Sequence, residues 1–226
     1  MRQYEHASVM DQAESLALSV GHALDLVIQA KGWAVLAVSG GRSPVPMFER
    51  LRYRPIRWDA VTVTLVDERA VPPDHPDSNG ALVRHNLLRE AAGVAAWVPL
   101  VEDAAEASQP ERAVARLNER FQQPDVVVLG MGEDGHPASL FPEAPELQTA
   151  LSEPKPGFLV THPTSANHAR VTLNLAALLA AERTFLAITG EKKAEVLARA
   201  LQAPTPALPV SLVLARHRHG VDVFRT

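Results

Sequence analysis

Between Val9 and Ala30 apolar residues recur at Leu16, Val20, Leu24 and then Val27 or Ile28, the spacing of one helix face, and Gly32 stands where that helix would end. The pattern then changes period. Trp33 to Val38 is short, continuous and apolar, as expected of a strand covered on both faces, and Pro44 to Arg52 reads as a helix with proline near its start. The same alternation continues with a strand at Val61–Val66, helices around Ala81–Glu90 and Glu111–Phe121, and a strand at Val126–Leu129. Beyond these the pattern predicts strands at Phe158–Val160, Val171–Leu173 and Phe185–Ile188, a helix over Lys193–Leu201 and a last strand at Val210–Leu214. Strands alternating with helices predict a three-layer α/β/α fold around a largely parallel, mixed sheet, with ligands bound beyond the carboxyl ends of the strands. The stretches Pro142–Pro156 and Ala203–Pro209 are proline-rich and weakly hydrophobic; they read as surface loops, and residues 1–226 are expected to form a single domain.

Composition narrows the partner. A chain of 226 residues, 46% of them hydrophobic, holds ample material for one α/β core. A formal charge of −4 and a pI near 6.1 give no general attraction to nucleic acid or to an anionic membrane. An anionic ligand must then be held by a local basic cluster, and a small molecule is the expected partner, with no obligate protein partner implied. The absence of cysteine excludes disulfides, thiol nucleophiles and zinc–thiolate sites. No signal-peptide pattern or apolar run of bilayer-spanning length is present, so a cytoplasmic location is expected. Neither a G-x-S-x-G elbow nor a Walker A sequence occurs, which disfavours a serine hydrolase and a P-loop nucleotidase.

Chemistry concentrates where strands end. The predicted strand at Val126 runs into Gly130-Met131-Gly132-Glu133-Asp134-Gly135-His136, where glycines let the backbone approach a ligand and histidine is the residue type that titrates near neutral pH. Taken alone, this stretch reads either as a tight turn with a helix-capping histidine or as a site. Ser39-Gly40-Gly41-Arg42-Ser43-Pro44 follows another strand; its glycines free backbone amides for an anion, although paired glycines serve turns equally well. Asp67-Glu68-Arg69 follows TVTLV and precedes Ser78-Asn79, and its three charges are either a solvated strand end or a binding face. Arg170 and the Gly190-Glu191-Lys192-Lys193 segment are read the same two ways. His162, His168, His217 and His219 lack carboxylates or cysteines at ligand spacing and are read as surface histidines rather than metal pairs.

Together these motifs resemble the 6-phosphogluconolactonase family, from about Leu36 to Leu201. The family's Asp-Gly-His-Thr-Ala-Ser-Leu-Phe-Pro pattern is matched by Asp134 to Pro142, with Pro137 in place of threonine. The resemblance implies the fold of the glucosamine-6-phosphate deaminase, ribose-5-phosphate isomerase and CoA transferase-like proteins. It further implies hydrolysis of a phosphorylated sugar lactone, with His136 as the base, Asp134 as a catalytic carboxylate, Arg69 facing the substrate and Asp67 orienting either Arg69 or the histidine. Ser39, Gly40, Gly41, Arg42, Gly132, Arg170 and Lys193 are implied to bind the substrate and its phosphate; no metal or cofactor is implied. If Arg170 and Lys193 reach one pocket, the strand Val171–Leu173 must run antiparallel to its neighbours, because Arg170 enters its strand while Lys193 follows one.

Two other readings compete. A glucosamine-6-phosphate deaminase or isomerase shares the fold, but the deaminase loop resembled here carries a glutamate just before the proline, where this chain has Phe141. A sugar-phosphate-sensing effector domain is disfavoured because the region before Leu36 holds one long amphipathic helix rather than a helix-turn-helix, and because His136 would be idle.

Overall fold

The computed structural model describes residues 1–226. The chain opens with β1 (Arg2–Glu5), α1 (Val9–Lys31), β2 (Ala34–Val38), α2 (Val45–Leu51), β3 (Val61–Leu65), β4 (Asp67–Arg69) and α3 (Asn79–Asn86). There follow β5 (Ala96–Trp97), α4 (Ala104–Ser108), α5 (Pro110–Glu119), β6 (Val126–Leu129), α6 (Leu147–Ser152), β7 (Phe158–Thr161) and β8 (Arg170–Leu173). The last elements are α7 (Leu175–Leu179), β9 (Arg183–Ile188), α8 (Glu191–Ala200), α9 (Val210–Arg216) and β10 (Val221–Arg225). Helices flank a seven-stranded sheet in three layers, with strand order β1-β10-β9-β6-β2-β3-β5. Every pair in that sheet is parallel.

Strand order locates the crevice. From β2 the chain builds outward through β3 to β5, then returns to the other side of β2 and builds outward through β6, β9 and β10. The direction reverses between β2 and β6, so the loops leaving their carboxyl ends diverge there and leave a gap. Those loops are Ser39–Pro44 and Gly130–Pro137. They are tied at their roots: Ser39 N–H donates to Val128 O at 3.0 Å, and Gly130 N–H donates to Ser39 Oγ at 3.1 Å.

The antiparallel strand expected near Arg170 exists, but in a sheet of its own. At Val66 the chain leaves the large sheet and enters a three-stranded one of order β4-β8-β7, antiparallel throughout. Its register sets Asp67 opposite Thr172 and Arg69 opposite Arg170. Because side chains alternate along a strand, Asp67, Arg69, Arg170 and Thr172 share one face while Glu68 takes the other.

Helix α1 forms as its pattern predicts. Ser8 Oγ accepts the Asp11 N–H at 3.2 Å as the N-cap; Leu16, Val20, Leu24 and Ile28 are buried; Gly32 ends the helix with a left-handed φ of 89°. No helix is long and apolar enough to cross a membrane.

Three expectations are corrected. Val210–Leu214 is not a strand: it lies in helix α9, where Pro209 (φ −57°) is already helical and the Val210 N–H donates to Gly135 O at 2.9 Å. Val210 through Val213 are all buried, so the run carries no helical period to read. The segment Pro142–Pro156 is not all loop, since it contains α6 with Leu147 and Ala150 buried. His217 is not a surface histidine; it is buried, 2.9 Å through Nε2 from Thr184 Oγ1. The edge strand β1 and its neighbour β10 were not expected: β1 is mostly exposed and polar, and β10 alternates too briefly to stand out.

Candidate active site

A cleft of about 260 Å³ opens at the β2/β6 reversal, lined by Ser39, Gly40, Gly41, Asp67, Arg69, Gly132, His136, Arg170 and Lys193. Of the residues expected there, Arg42 and Asp134 are missing from the wall. Arg42 is exposed on the rim side of its turn, whereas Asp134 stands behind His136 and touches it.

The glycine loop fixes the imidazole. Gly135 turns the chain with φ 82°, and His136 O accepts the Gly132 N–H at 2.9 Å, closing the loop on itself. A Cβ on Gly132 would overlap the His136 ring and the Asp134 carboxylate, so the ring occupies space that only glycine leaves free. His136 Nδ1 lies 2.5 Å from Asp134 Oδ1, and its ring stacks on Phe141 with centroids 3.9 Å apart and planes 27° apart. Burial pushes the Asp134 carboxyl up, but the hydrogen bond and charge of His136 outweigh it, and the net shift is below the ordinary carboxylate range. An ionised carboxylate only accepts, which puts the proton on Nδ1 and leaves the Nε2 lone pair free.

The face of the small sheet lines the same cleft as the imidazole. Arg69 and Arg170 are direct cross-strand partners, an arrangement that costs stability unless an anion lies between or beside the two charges. Arg170 is buried, its Nη1 has no hydrogen-bond partner, and burial lowers its pKa against the opposing pull of Asp67. An unmet buried donor of this kind costs about 1–3 kcal/mol, more when charged, which an acceptor entering the cleft recovers. Lys193 adds a third cation from the first turn of α8, behind Gly190 with φ 94°. Gln12 steadies that end of the sheet, donating through Nε2 to Ile188 O at 2.7 Å and Phe224 O at 2.9 Å.

Asp67 does not reach His136; its Oδ2 accepts from Ser139 Oγ at 2.6 Å, which ties the small sheet to the histidine loop. Glu68, on the opposite face, accepts from the amides of Arg69, Asn79 and Gly80 and from Ser78 Oγ, all within 2.7–3.0 Å. Burial raises its pKa in spite of those donors. The Asp-Glu-Arg triplet thus splits by strand alternation: two side chains toward the cleft, one anchoring the N-terminus of α3. Asn79, Ser139 and Phe141 also line the cleft and were not assigned from sequence as site residues. Asn79 lies so close over Gly40 that a Cβ there would overlap its amide, and its Nδ2 donates to Asp67 O at 3.0 Å. Both Asn79 and Ser139 sit inside the motifs, but nothing in their spacing says which way they point. No group of three or more histidine, aspartate or glutamate side chains is assembled as a cation's ligand set.

Comparison with known proteins converges on one family. The family model described as glucosamine-6-phosphate isomerases/6-phosphogluconolactonase matches residues 8–223. The chain belongs to that family. A 6-phosphogluconolactonase of Neisseria meningitidis is 43% identical over 98% of this chain and 97% of its own length. One from Rhizobium meliloti is 41% identical over 99% and 97%. The crystal structure of a 6-phosphogluconolactonase from Shewanella baltica superposes with a TM-score of 0.91 at 35% identity, covering 100% of this chain and 97% of the other. A monomeric glucosamine-6-phosphate deaminase shares the fold at TM-score 0.76, with 18% identity, over 100% of this chain and 97% of its own.

Proposed function

We propose that the chain, as one catalytic domain over residues 1–226, hydrolyses 6-phospho-D-glucono-1,5-lactone to 6-phospho-D-gluconate. The observation that carries this reading is the meeting, in one cleft, of a carboxylate-oriented imidazole and a trio of cations. A single core cluster of 55 buried residues supports the one-domain description.

The chemistry follows from the geometry. His136, with Nδ1 protonated toward Asp134, takes a proton from water at Nε2 as the water oxygen bonds to the lactone carbonyl carbon. The carbonyl oxygen becomes an oxyanion, for which Arg69 and backbone amides of the glycine loops are the nearby donors. When the intermediate collapses, the bond from the carbonyl carbon to the ring oxygen breaks, and the imidazolium returns its proton to that oxygen. Asp134 stabilises the imidazolium between the two transfers. General base catalysis of this kind contributes about 10²–10⁴-fold, adequate for an already reactive lactone without a covalent intermediate. Arg170 and Lys193 hold the phosphate, helped by Ser39, Gly40 and Gly41. A phosphorylated substrate is charged and does not cross a bilayer unaided, which supports a cytoplasmic location for the reaction.

Phe141 separates this reading from amine release. The deaminases resembled in sequence have a carboxylate at that position, whereas here a phenyl ring stacks on the imidazole and exchanges no proton. The test is direct: purified protein should accelerate proton release from freshly made phosphogluconolactone above its spontaneous hydrolysis and release no ammonia from glucosamine-6-phosphate. Ammonia release without lactonase activity would overturn the assignment.

A further inference from the structure

The loop between Arg69 and α3 carries a group of side chains that the proposed mechanism leaves unused. Arg69 Nη1 donates to the backbone carbonyl of Asp77 at 2.5 Å. The Asp77 N–H donates to His75 Nδ1 at 3.1 Å, and Asp77 Oδ2 lies 3.1 Å from His168 Nε2. His75 and His168 meet edge to face, with ring centroids 5.6 Å apart. His168 lies two residues before Arg170, and the adjoining Ala169 O accepts the Ala70 N–H at 2.8 Å.

His168 holds its backbone at φ 68°, a left-handed conformation that a histidine adopts at a cost. Its reward in the structure is the contact with Asp77, since that contact is the hydrogen bond its ring makes. One aspartate therefore joins the two loops that deliver the paired arginines: its carbonyl holds the Arg69 guanidinium, and its carboxylate holds the segment leading into Arg170. Opposed cations repel, so without bound anion the pair needs an external restraint to keep its spacing.

We propose that Asp77 and His168 form a clasp that positions Arg69 against Arg170, with Asp77 and His168 acting as positioning residues rather than touching the substrate. This rests on the lactonase reading for its kinetic consequence, but its geometric content does not. The clasp sets the distance between the guanidinium group that faces the oxyanion and the one that holds the phosphate, and so fixes how both meet one substrate.

The test uses the full chain and begins with the parent enzyme on phosphogluconolactone, so that failure of the lactonase reading is seen first and separately. His168→Gly keeps the left-handed backbone and removes the donor; His168→Gln places an amide Nε2 where the imidazole Nε2 stands and restores a donor to Asp77. We expect His168→Gly to lower kcat/KM by about 3- to 10-fold, the worth of one hydrogen bond to a charged group at a partly exposed site, and His168→Gln to recover most of it. Asp77→Ala, which keeps the carbonyl that Arg69 uses, should match His168→Gly and serves if the glycine variant folds poorly. In an Arg69→Met background, His168→Gly should cost less than it does in the parent, because one of the two residues it positions is gone. Calorimetric binding of inorganic phosphate gives a readout independent of turnover and should weaken in parallel in His168→Gly. The proposal is overturned if His168→Gly and Asp77→Ala both stay within about two-fold of the parent, if His168→Gln is as impaired as His168→Gly, or if the Arg69 and His168 losses multiply. A lowered melting temperature with unchanged kinetics and phosphate binding would make the clasp merely structural and equally overturn it.

Discussion

Replacing Asp134 with asparagine removes one charge and almost no volume, and so isolates what the carboxylate does for His136. The pair is 2.5 Å apart with side chains 25% exposed on the histidine and 37% on the aspartate, so solvent screens it only in part. Two unit charges about 4 Å apart between centres are worth about 4 kcal/mol at an effective dielectric of 20 and about 1 kcal/mol in water, and a half-open site falls between, at about 2–3 kcal/mol. The imidazolium exists only after water has given up its proton, so this energy is spent on the barrier and not on substrate binding. The expected loss in kcat is therefore about 30- to 150-fold, with product affinity nearly unchanged. The loop should hold, because an asparagine Oδ1 can still accept both the His136 N–H, now at 3.2 Å, and the ring Nδ1–H. Turning the amide over would reverse the tautomer and protonate Nε2, deepening the loss toward ~10⁴-fold. The assay is indicator-detected proton release from freshly generated lactone, with spontaneous hydrolysis subtracted, beside calorimetric binding of 6-phosphogluconate. A kcat within about three-fold of the parent would show that the carboxylate does not act through the imidazole, whatever the histidine does.

Four further outcomes follow from the same geometry. His136→Asn should lower kcat by about 10²-fold or more while 6-phosphogluconate affinity, read by calorimetry, stays within a few-fold. Gly132→Ala should cost activity on a similar scale, about 10²-fold, because its methyl group displaces the ring; a kcat near the parent's would mean the ring is not needed where it stands. Arg170→Met and Lys193→Met should raise KM for the phosphorylated lactone yet leave unphosphorylated gluconolactone almost untouched; equal penalties on both substrates would remove these residues from the phosphate. Burial, reinforced by the charge of His219, lowers the pKa of His217 below its ordinary 6.5, so the unfolded chain binds that proton more readily than the folded one. Its contribution to stability is full above pH 6.5 and declines as pH falls toward the folded value, with a slope of at most about 1.4 kcal/mol per pH unit. His217→Gln should flatten the fall in urea midpoint just below pH 6.5, and an unchanged slope would assign the acid sensitivity to other groups.

What the sequence made legible is what elementary chemistry forces onto a strand end. Glycine beside an acid and a histidine at the end of Val126–Leu129 has few uses, and the cleft forms there because β2 and β6 flank the reversal of strand order. Fully buried strands were legible from their apolar runs: β2, β3 and β6 lie within a residue or two of where the pattern puts them. The same criterion failed at Val210–Leu214. An apolar run buried on all sides reads alike as strand or helix, and only its contact with Gly135 decides. The exposed edge β1 failed for the opposite reason, since four mostly solvated residues bury too little to leave a pattern.

Within the site, residue types were easier to read than directions. The triplet Asp67-Glu68-Arg69 looked like one charged unit, but a strand of period two cannot send neighbours to the same side, so Glu68 had to leave the cleft once Arg69 faced it. That inference was open to the sequence as soon as the triplet was taken as strand rather than loop. Pairing was not open to it. Nothing local says that Arg69 lies opposite Arg170, more than a hundred residues further along, or that Asp67 would be held by Ser139 and not by the histidine. Those facts come from a second sheet whose strands lie in different parts of the chain. It is this small antiparallel sheet that sets two guanidinium groups side by side in one cleft with an imidazole carried on a loop of the large parallel one. The site therefore depends on how the two sheets are fastened, and the fasteners include the Leu173 N–H on Val66 O at 2.9 Å, Ser139 Oγ on Asp67, the Ser139 N–H on Thr172 Oγ1 at 3.2 Å and Thr161 Oγ1 on Ser139 O at 3.2 Å. Ser139→Ala should for that reason lower activity by loosening the small sheet against the histidine loop, although His136, Arg69, Arg170 and Lys193 are all retained. Loss of one buried hydrogen bond to a charged acceptor costs about 1.5–3 kcal/mol, which differential scanning calorimetry would register as a lower melting temperature. Restoration by Ser139→Thr, but not by Ser139→Val, would show that the hydroxyl and not the volume joins the sheets; equal activity in all of them would mean that the sheets are held in register without it.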